Sequence, residues 1–147
     1  MRVTVDRREM ASLIKTFKKL PDEVQRKGMD EALLAGAKPI HKATEQGAPI
    51  GGIKWPRRRP NDKPLRETIK TIVAKRKNQN AVRVVSTNPI AGPLEFGHDI
   101  VTKAGNVVGH AKPFPFMRRA FDGNKGIALR LIQVDLAKTI DRLWKRG

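Results

Sequence analysis

The sequence contains few side chains suited to catalysis or metal binding. Its histidines are His41, His98 and His110. His98, Asp99 and His110 flank a predicted hairpin, where they could approach one another as zinc ligands with water as the fourth ligand. Their spacing matches no common metal-binding motif, so we favour solvated histidines and predict no bound metal. His41 lies beside the apolar stripe of a predicted helix and is interpreted as a boundary residue.

The remaining candidates for catalysis are serines and carboxylates. Ser12 and Ser86 are the only serines. Neither lies in a Gly-rich elbow beside a histidine, so acyl transfer lacks a nucleophile with its base. Glu67, Glu95 and Asp99 could form a carboxylate cluster for metal-dependent cleavage of phosphodiesters, but their spacing is not distinctive and a nuclease is the least favoured hypothesis. We predict a protein that is not an enzyme and needs no cofactor.

A long basic loop is the most distinctive polar feature. Residues 47–64 (the basic loop) contain four prolines and three glycines and show no helical or strand periodicity. Cationic side chains can neutralise phosphates, and a tryptophan can stack on a base or on a guanidinium group. The predicted contact residues are Lys54, Trp55, Arg57, Arg58, Arg59 and Lys63. Three interpretations stay open: contact with DNA, docking to an acidic protein face, and a solvated loop.

The net charge indicates an anionic partner. The 147-residue chain has 31 Lys and Arg against 14 Asp and Glu, a formal net charge of +17. Such a surface repels itself and favours nucleic acid or an acidic protein face as a neighbour. There is no cysteine for disulfides or thiolate metal sites, and no segment approaches the length of a membrane span. We expect a single domain over residues 1–147.

Apolar periodicity predicts two helices in the first third of the chain. A capping-box spacing starts a short helix at Asp6 that ends near Lys18. A second helix starts at Pro21, because proline suits a first turn, and runs to about Glu45. Pro39 lacks a backbone donor and is expected to bend this second helix or to end it early.

The rest of the chain predicts strands followed by a helix. The predicted strands are residues 71–75, 81–86, 99–103 and 106–110, the last two forming a hairpin across Ala104-Gly105. A helical turn at residues 116–121 is separated from a C-terminal helix at residues 127–145 by Gly123-Asn124-Lys125-Gly126. This order predicts an α+β fold, in which a small mixed or antiparallel β-sheet of about four strands packs against two long helices.

Several segments in a fixed order carry a resemblance to a known family. They are "LPDEVQRKGMDEALLAGAKPIHKATEQGAP", Gly52, "PLRETI", "GPLEFGH" and "AKPFPFMRRAFD". In this order they resemble the neck, head-tail joining and tail-completion (minor tail) proteins of long-tailed bacteriophages, over residues 20–122. The chain departs from that pattern at Gly51-Gly52 in place of Thr-Gly, at His98 in place of Thr and at Arg119 in place of Pro. The basic loop looks like an insertion.

This resemblance implies a structural protein of the virion. It implies an α+β subunit without catalysis that forms a ring at the head-tail interface, with a hexamer favoured over a dodecamer. The implied partners are further copies of the chain, the neighbouring head-connector and tail-terminator proteins, and DNA in the lumen. Assembly is expected in the host cytoplasm, with no membrane. The alternative from another class is a sequence-nonspecific basic nucleic-acid-binding protein.

The segment "KPFPF" predicts a stiff aromatic connection. Pro113 and Pro115 restrict the backbone to extended conformations, so Phe114 and Phe116 are expected to point to opposite sides. We predict that one of these rings closes the core while the other, with Phe96 as a neighbour, anchors an adjacent subunit. The alternative places both rings in the subunit's own core.

Overall fold

The computed structural model describes residues 7–50, 63–76 and 79–144, and within them the fold is α+β, as predicted. Its elements are α1 (Arg7–Phe17), α2 (Asp22–Gly47), a 3₁₀ helix (Leu65–Thr68), β1 (Ile69–Arg76), β2 (Gln79–Ser86), α3 (Ala91–Phe96), β3 (His98–Val101), β4 (Val107–Ala111) and α4 (Phe116–Trp144). No helix in these residues is long and apolar enough to cross a membrane.

The strands form two separate antiparallel pairs. β1 pairs with β2 from Ile69↔Ser86 to Arg76↔Gln79, and β3 pairs with β4 with an irregularity between Ile100 and Val101. This arrangement differs in one respect from a single sheet of about four strands. The segment after β2 folds into α3 and turns at Gly97, whose φ is 78°, so β3 begins without pairing with β2.

The long helices α2 and α4 pack closely against each other. Gly28, Ala32 and Gly36 are all buried and are spaced four residues apart, so they lie on one face of α2. The absence of large side chains on this face lets α4 approach, and the core here also includes Phe17 and Leu136. Four partly buried apolar side chains surround it: Leu20, Met29, Ile132 and Ile140.

A second core forms where the two ends of the basic loop meet the rest of the chain. Its buried members are Ala48, Leu65, Ile69, Ala91 and Phe116. Arg66 strengthens this junction, because its Nε donates to the carbonyl oxygen of Glu45 at 2.7 Å, near the C-terminal end of α2. The segment "PLRETI" therefore returns the chain from the basic loop onto the end of α2.

The predicted start of the C-terminal helix is wrong. α4 runs unbroken from Phe116 to Trp144, with no interruption at residues 123–126 and no separate helix beginning at residue 127. Ala120 and Ala128 are buried on either side of that segment, and their packing outweighs the cost of two helical glycines, about 1 kcal/mol each. Of the two effects expected at Pro39, an early end does not occur, because α2 continues to Gly47, close to the predicted end near Glu45. The predicted capping residue Asp6 lies outside the described residues.

Candidate interaction surface

The motif "LEFG" forms the end of α3 and the turn into β3. Gly97 adopts a φ of 78°, a left-handed conformation that side chains rarely tolerate. A Cβ at this position would lie 2.7 Å from the carbonyl oxygen of Ala111 and 3.2 Å from Pro113 Cδ. Only glycine therefore lets α3 turn into the hairpin while the proline-rich segment passes this close to it.

The carboxylate of Glu95 joins α3 to the start of α4. Oε2 accepts the backbone N–H of Met117 and Oε1 accepts that of Arg118, both at 3.0 Å. The side chain is buried, and these donors belong to the first turn of α4, which has no intrahelical acceptors for them. Because the helix dipole also favours a negative charge here, Glu95 acts as a capping group supplied from another element.

The proline-rich segment places its two phenylalanines in different environments. The N–H of Phe114 donates to the carbonyl oxygen of Leu94 at 2.7 Å, which fixes the segment against α3. Phe116 is 2% exposed and belongs to the second core, whereas Phe114 is 42% exposed. Phe96, at the end of α3, is 67% exposed. Two of the three predicted anchors therefore lie at the surface and one lies inside.

Arginines at the start of α4 cover the two exposed rings. The guanidinium carbon of Arg118 lies 5.6 Å from the ring centroid of Phe96, and that of Arg119 lies 5.7 Å from the centroid of Phe114. Both distances suit cation–π contacts, which contribute about 0.5–1 kcal/mol at exposed sites. Sequence reasoning missed these contacts, although the adjacent pair Arg118-Arg119 directly after an aromatic segment was the available signal.

The β3–β4 hairpin, which follows α3 directly, also exposes apolar side chains. Ile100, Val101, Val107 and Val108 are all exposed, although large aliphatic side chains usually pack inside. A two-stranded hairpin is only marginally stable alone in water. We call the hairpin side chains, together with Phe96 and Phe114, the apolar surface.

The candidate catalytic and metal-binding residues form one close pair but no cluster of three among the described residues. Asp99 Oδ1 and His110 Nδ1 lie 2.8 Å apart across the hairpin, while His98 Nδ1 lies 3.4 Å from the carbonyl oxygen of Pro93. Glu95 is occupied by the two helix donors, and Glu67 is exposed on the 3₁₀ helix. In the described part of the chain, no group of three His, Asp or Glu side chains is placed to hold a metal ion.

His41 occupies a depression of about 470 Å³ between α2, β1 and α4. Its Nδ1 lies 2.7 Å from Thr71 Oγ1 and its Nε2 lies 3.1 Å from Glu45 Oε1. Both ring nitrogens thus have partners, and the histidine links α2 to β1. Asp135 on the α4 side pairs with Lys138 at 3.5 Å. This open, paired site resembles a structural junction more than a reaction centre.

Most of the predicted basic-loop contacts lie outside the described residues. These are Lys54, Trp55, Arg57, Arg58 and Arg59. Lys63 is described: its side chain is exposed, and its carbonyl oxygen accepts from Asn88 Nδ2 at 3.5 Å. The loop leaves from α2 and returns at Lys63, beside the end of β2.

The described residues define a small α+β protein that presents an exposed aromatic and aliphatic contact surface. Comparison with known families identifies the group to which it belongs. Residues 11–97, more than half of the chain, match the family described as "Bacteriophage HK97-gp10, putative tail-component". The chain belongs to this HK97-gp10-like family of phage tail components, which places it among structural proteins of the virion and confirms the resemblance seen in the sequence.

The family match includes α2, "PLRETI" and "LEFG" and ends at Gly97, before the "PFPF" segment. Comparisons with curated proteins and with solved structures found no significant match.

Proposed function

We propose that this tail component is a non-enzymatic subunit of a ring at the head-tail junction, joining the capsid connector to the tail with DNA passing through the lumen. A hexamer is favoured over a dodecamer, and the neighbours are head-connector and tail-terminator proteins. Assembly takes place in the host cytoplasm. The observation that carries the proposal is the apolar surface, which presents Phe96 and Phe114 to solvent in a protein of a tail-component family.

Ring closure requires two different surfaces on each subunit that fit each other. The apolar surface supplies one of them, because aromatic and arginine side chains concentrate binding energy at protein interfaces. Phe96 and Phe114 each carry an arginine over the ring, so both residue types are already adjacent. Burying one phenylalanine fully contributes about 1.5–3 kcal/mol.

Removal of the two exposed rings is expected to prevent self-association. We expect the double variant Phe96→Ser, Phe114→Ser to weaken association by on the order of 100-fold or more, because two aromatic anchors are lost. Light scattering at low and high salt measures the mass of wild type and variant. Phe121→Ser, which removes an exposed ring on α4, is the matched control and should retain the wild-type mass.

Two results together would contradict the ring. The wild type would be monomeric at every salt concentration, and the double variant would still join heads to tails normally. A wild type that is a discrete multiple of six or twelve subunits supports it, and loss of that mass only in the double variant places the interface at the apolar surface.

Charge reversal in the basic loop is expected to impair head-tail joining without unfolding the protein. In Arg57→Glu, Arg58→Glu, Arg59→Glu, contact with lumen DNA or with an acidic neighbouring ring becomes repulsive. Thermal melting should match wild type, while infectious particles recovered by complementation should fall. Normal recovery of infectious particles would show that the basic loop is not needed for head-tail joining.

The net charge of +17 also favours a second candidate, a sequence-nonspecific nucleic-acid-binding protein. Its affinity for duplex DNA would fall steeply with salt concentration. A stable monomer that binds duplex tightly would favour this candidate over the ring. The metal-dependent nuclease is tested in the same assay, since it requires magnesium-dependent cleavage of the duplex.

A further inference from the structure

The β1–β2 hairpin has one face packed on the protein and one face in solvent. On the packed face, Ile69 is buried and Thr71 reaches His41 of α2 at 2.7 Å. Because side chains alternate along a strand, the cross-strand pairs Lys70↔Val85 and Ile72↔Arg83 lie on the opposite face. Lys70, Ile72 and Arg83 are exposed there. We call this second face the outer sheet face.

The charge of this hairpin is entirely positive. Residues 69–86 contain the cations Lys70, Lys75, Arg76, Lys77 and Arg83 and no Asp or Glu, a formal charge of +5. On α2, by contrast, acidic and basic residues alternate, as in Asp22-Glu23 and Arg26-Lys27. Neither Lys70 nor Arg83 has an ion-pair partner among the described residues.

Solubility and protection of an exposed sheet do not explain this composition. Charged residues discourage unwanted pairing of exposed strands, but acidic residues also serve that purpose and soluble surfaces usually mix the two signs. The nearest acid before the hairpin is Glu67, on the 3₁₀ helix, and the nearest after it is Glu95, which is buried. A face with cations alone is complementary to a polyanion.

The spacing of the two described cations suits a phosphate backbone. Arg83 is paired with Ile72, two residues along β1 from Lys70, which is about 7 Å along the strand. This is close to the axial rise of two base-pair steps of a duplex, at about 3.4 Å each. The other described side chains on the face are aliphatic and offer no hydrogen-bonding groups to the edges of bases.

From these features we infer that the outer sheet face binds the phosphate backbone of duplex DNA without reading its sequence, through Lys70 and Arg83. Lysine acts there as a point charge and arginine as a bidentate donor to phosphate oxygens. The site lies on an element distinct from the basic loop, and it does not depend on ring formation. The inferred DNA contact therefore lies on the β1–β2 sheet, whichever partner the basic loop meets.

The test is a binding titration with short fluorescent DNA duplexes of two unrelated sequences. In wild type, both duplexes should bind equally, with an affinity that falls steeply as salt rises. Lys70→Gln, Arg83→Gln should lower affinity by on the order of 100-fold at low salt and reduce the log-log salt slope by about 2. Lys70→Glu, Arg83→Glu should lower the affinity further by repulsion.

The matched control is Lys19→Glu, Lys42→Glu, which changes net charge as much as the second variant and alters two exposed lysines elsewhere. It should lower affinity only a few-fold, with an unchanged slope. Thermal melting checks that each variant is folded. If the Lys70→Glu, Arg83→Glu variant does not fold, the Lys70→Gln, Arg83→Gln variant still tests the inference.

A folded outer-sheet variant that binds DNA as the control does would overturn the inference. The inference would also be overturned if the outer-sheet variant bound DNA as the control does but had lost affinity for poly-glutamate. The ligand of this face would then be an acidic protein surface. Light scattering on the same samples distinguishes the test of DNA binding from the test of ring formation. A variant that loses DNA binding but keeps the wild-type mass supports DNA binding at the outer sheet face and leaves the ring proposal unaffected.

Discussion

Replacement of Gly36 by leucine is expected to lower the free energy of unfolding by about 3 kcal/mol. Gly36 lies where α2 packs against α4. A Cβ there would lie 2.6 Å from Ile132 Cγ1 and 3.0 Å from the carbonyl oxygen of Ala128. Because both atoms belong to the packed part of α4, a leucine can fit only if the helices separate. Protein interiors are close-packed, so that separation costs contacts along the whole pair.

The matched control is Gly123→Leu on the exposed side of α4, where a Cβ would meet nothing within 4 Å. There the same substitution removes a helical glycine, and we expect a neutral effect or a gain of up to about 1 kcal/mol. Urea denaturation followed by circular dichroism measures both variants. For a chain of this length, a loss of 3 kcal/mol corresponds to a fall in Tm of about 6–12 °C. Equal stabilities of the two variants would contradict the close packing of α2 against α4.

Replacement of Glu95 by alanine is the second large expected loss. The change leaves the N–H groups of Met117 and Arg118 without their acceptors at a partly buried helix start. Hydrogen bonds to charged groups contribute about 1.5–3 kcal/mol each, and a buried donor without a partner has its own cost. We expect the free energy of unfolding to fall by about 3 kcal/mol, measured by urea denaturation. Glu95→Gln retains one carbonyl acceptor and should lose about half as much.

The control for this prediction is Glu67→Ala, which removes an exposed carboxylate from the 3₁₀ helix and should change stability by no more than about 0.5 kcal/mol. If Glu95→Ala were as stable as this control, the carboxylate would not be the cap of α4.

Glu95 also connects stability with the proposed function. Its two bonds hold α3 against the first turn of α4, the elements that carry Phe96 and the two covering arginines. Phe114 is fixed to the same place through its bond to Leu94. We therefore expect Glu95→Ala to weaken self-association as well as folding, because the apolar surface would lose its rigid support. Phe96→Ser, Phe114→Ser should weaken association alone.

The elements with strong local signals were predicted closely. α1 and α2 have apolar residues at helical intervals, and Pro21 and Ala48 lie just outside the observed ends of α2. The β3–β4 hairpin turns at Gly105, whose φ of 86° explains why glycine follows Ala104 there. Such signals are carried by neighbours in sequence, so they can be recognised without knowledge of the rest of the fold.

The predicted break in α4 failed because distant packing outweighed a local preference. The glycines at residues 123 and 126 disfavour a helix, yet α4 continues because buried side chains on both sides pack against α2. Pro39 removes one hydrogen bond from α2, and the contacts of the helix with α4 and both strands of the β1–β2 sheet hold it together. Intrinsic preferences of about 1 kcal/mol per glycine are smaller than the burial of several side chains.

By itself, the sequence determined the α+β class, the positions of most elements, the basic character of the chain and the resemblance to phage tail components. It also led to the prediction that only one of Phe114 and Phe116 closes the core, because the prolines beside them constrain the backbone. Only the tertiary structure decided that Phe116 is the buried ring, that Glu95 caps α4, and that Lys70 and Arg83 share an exposed face. These outcomes depend on contacts between residues that are distant in sequence, and no local pattern specifies which distant groups will meet.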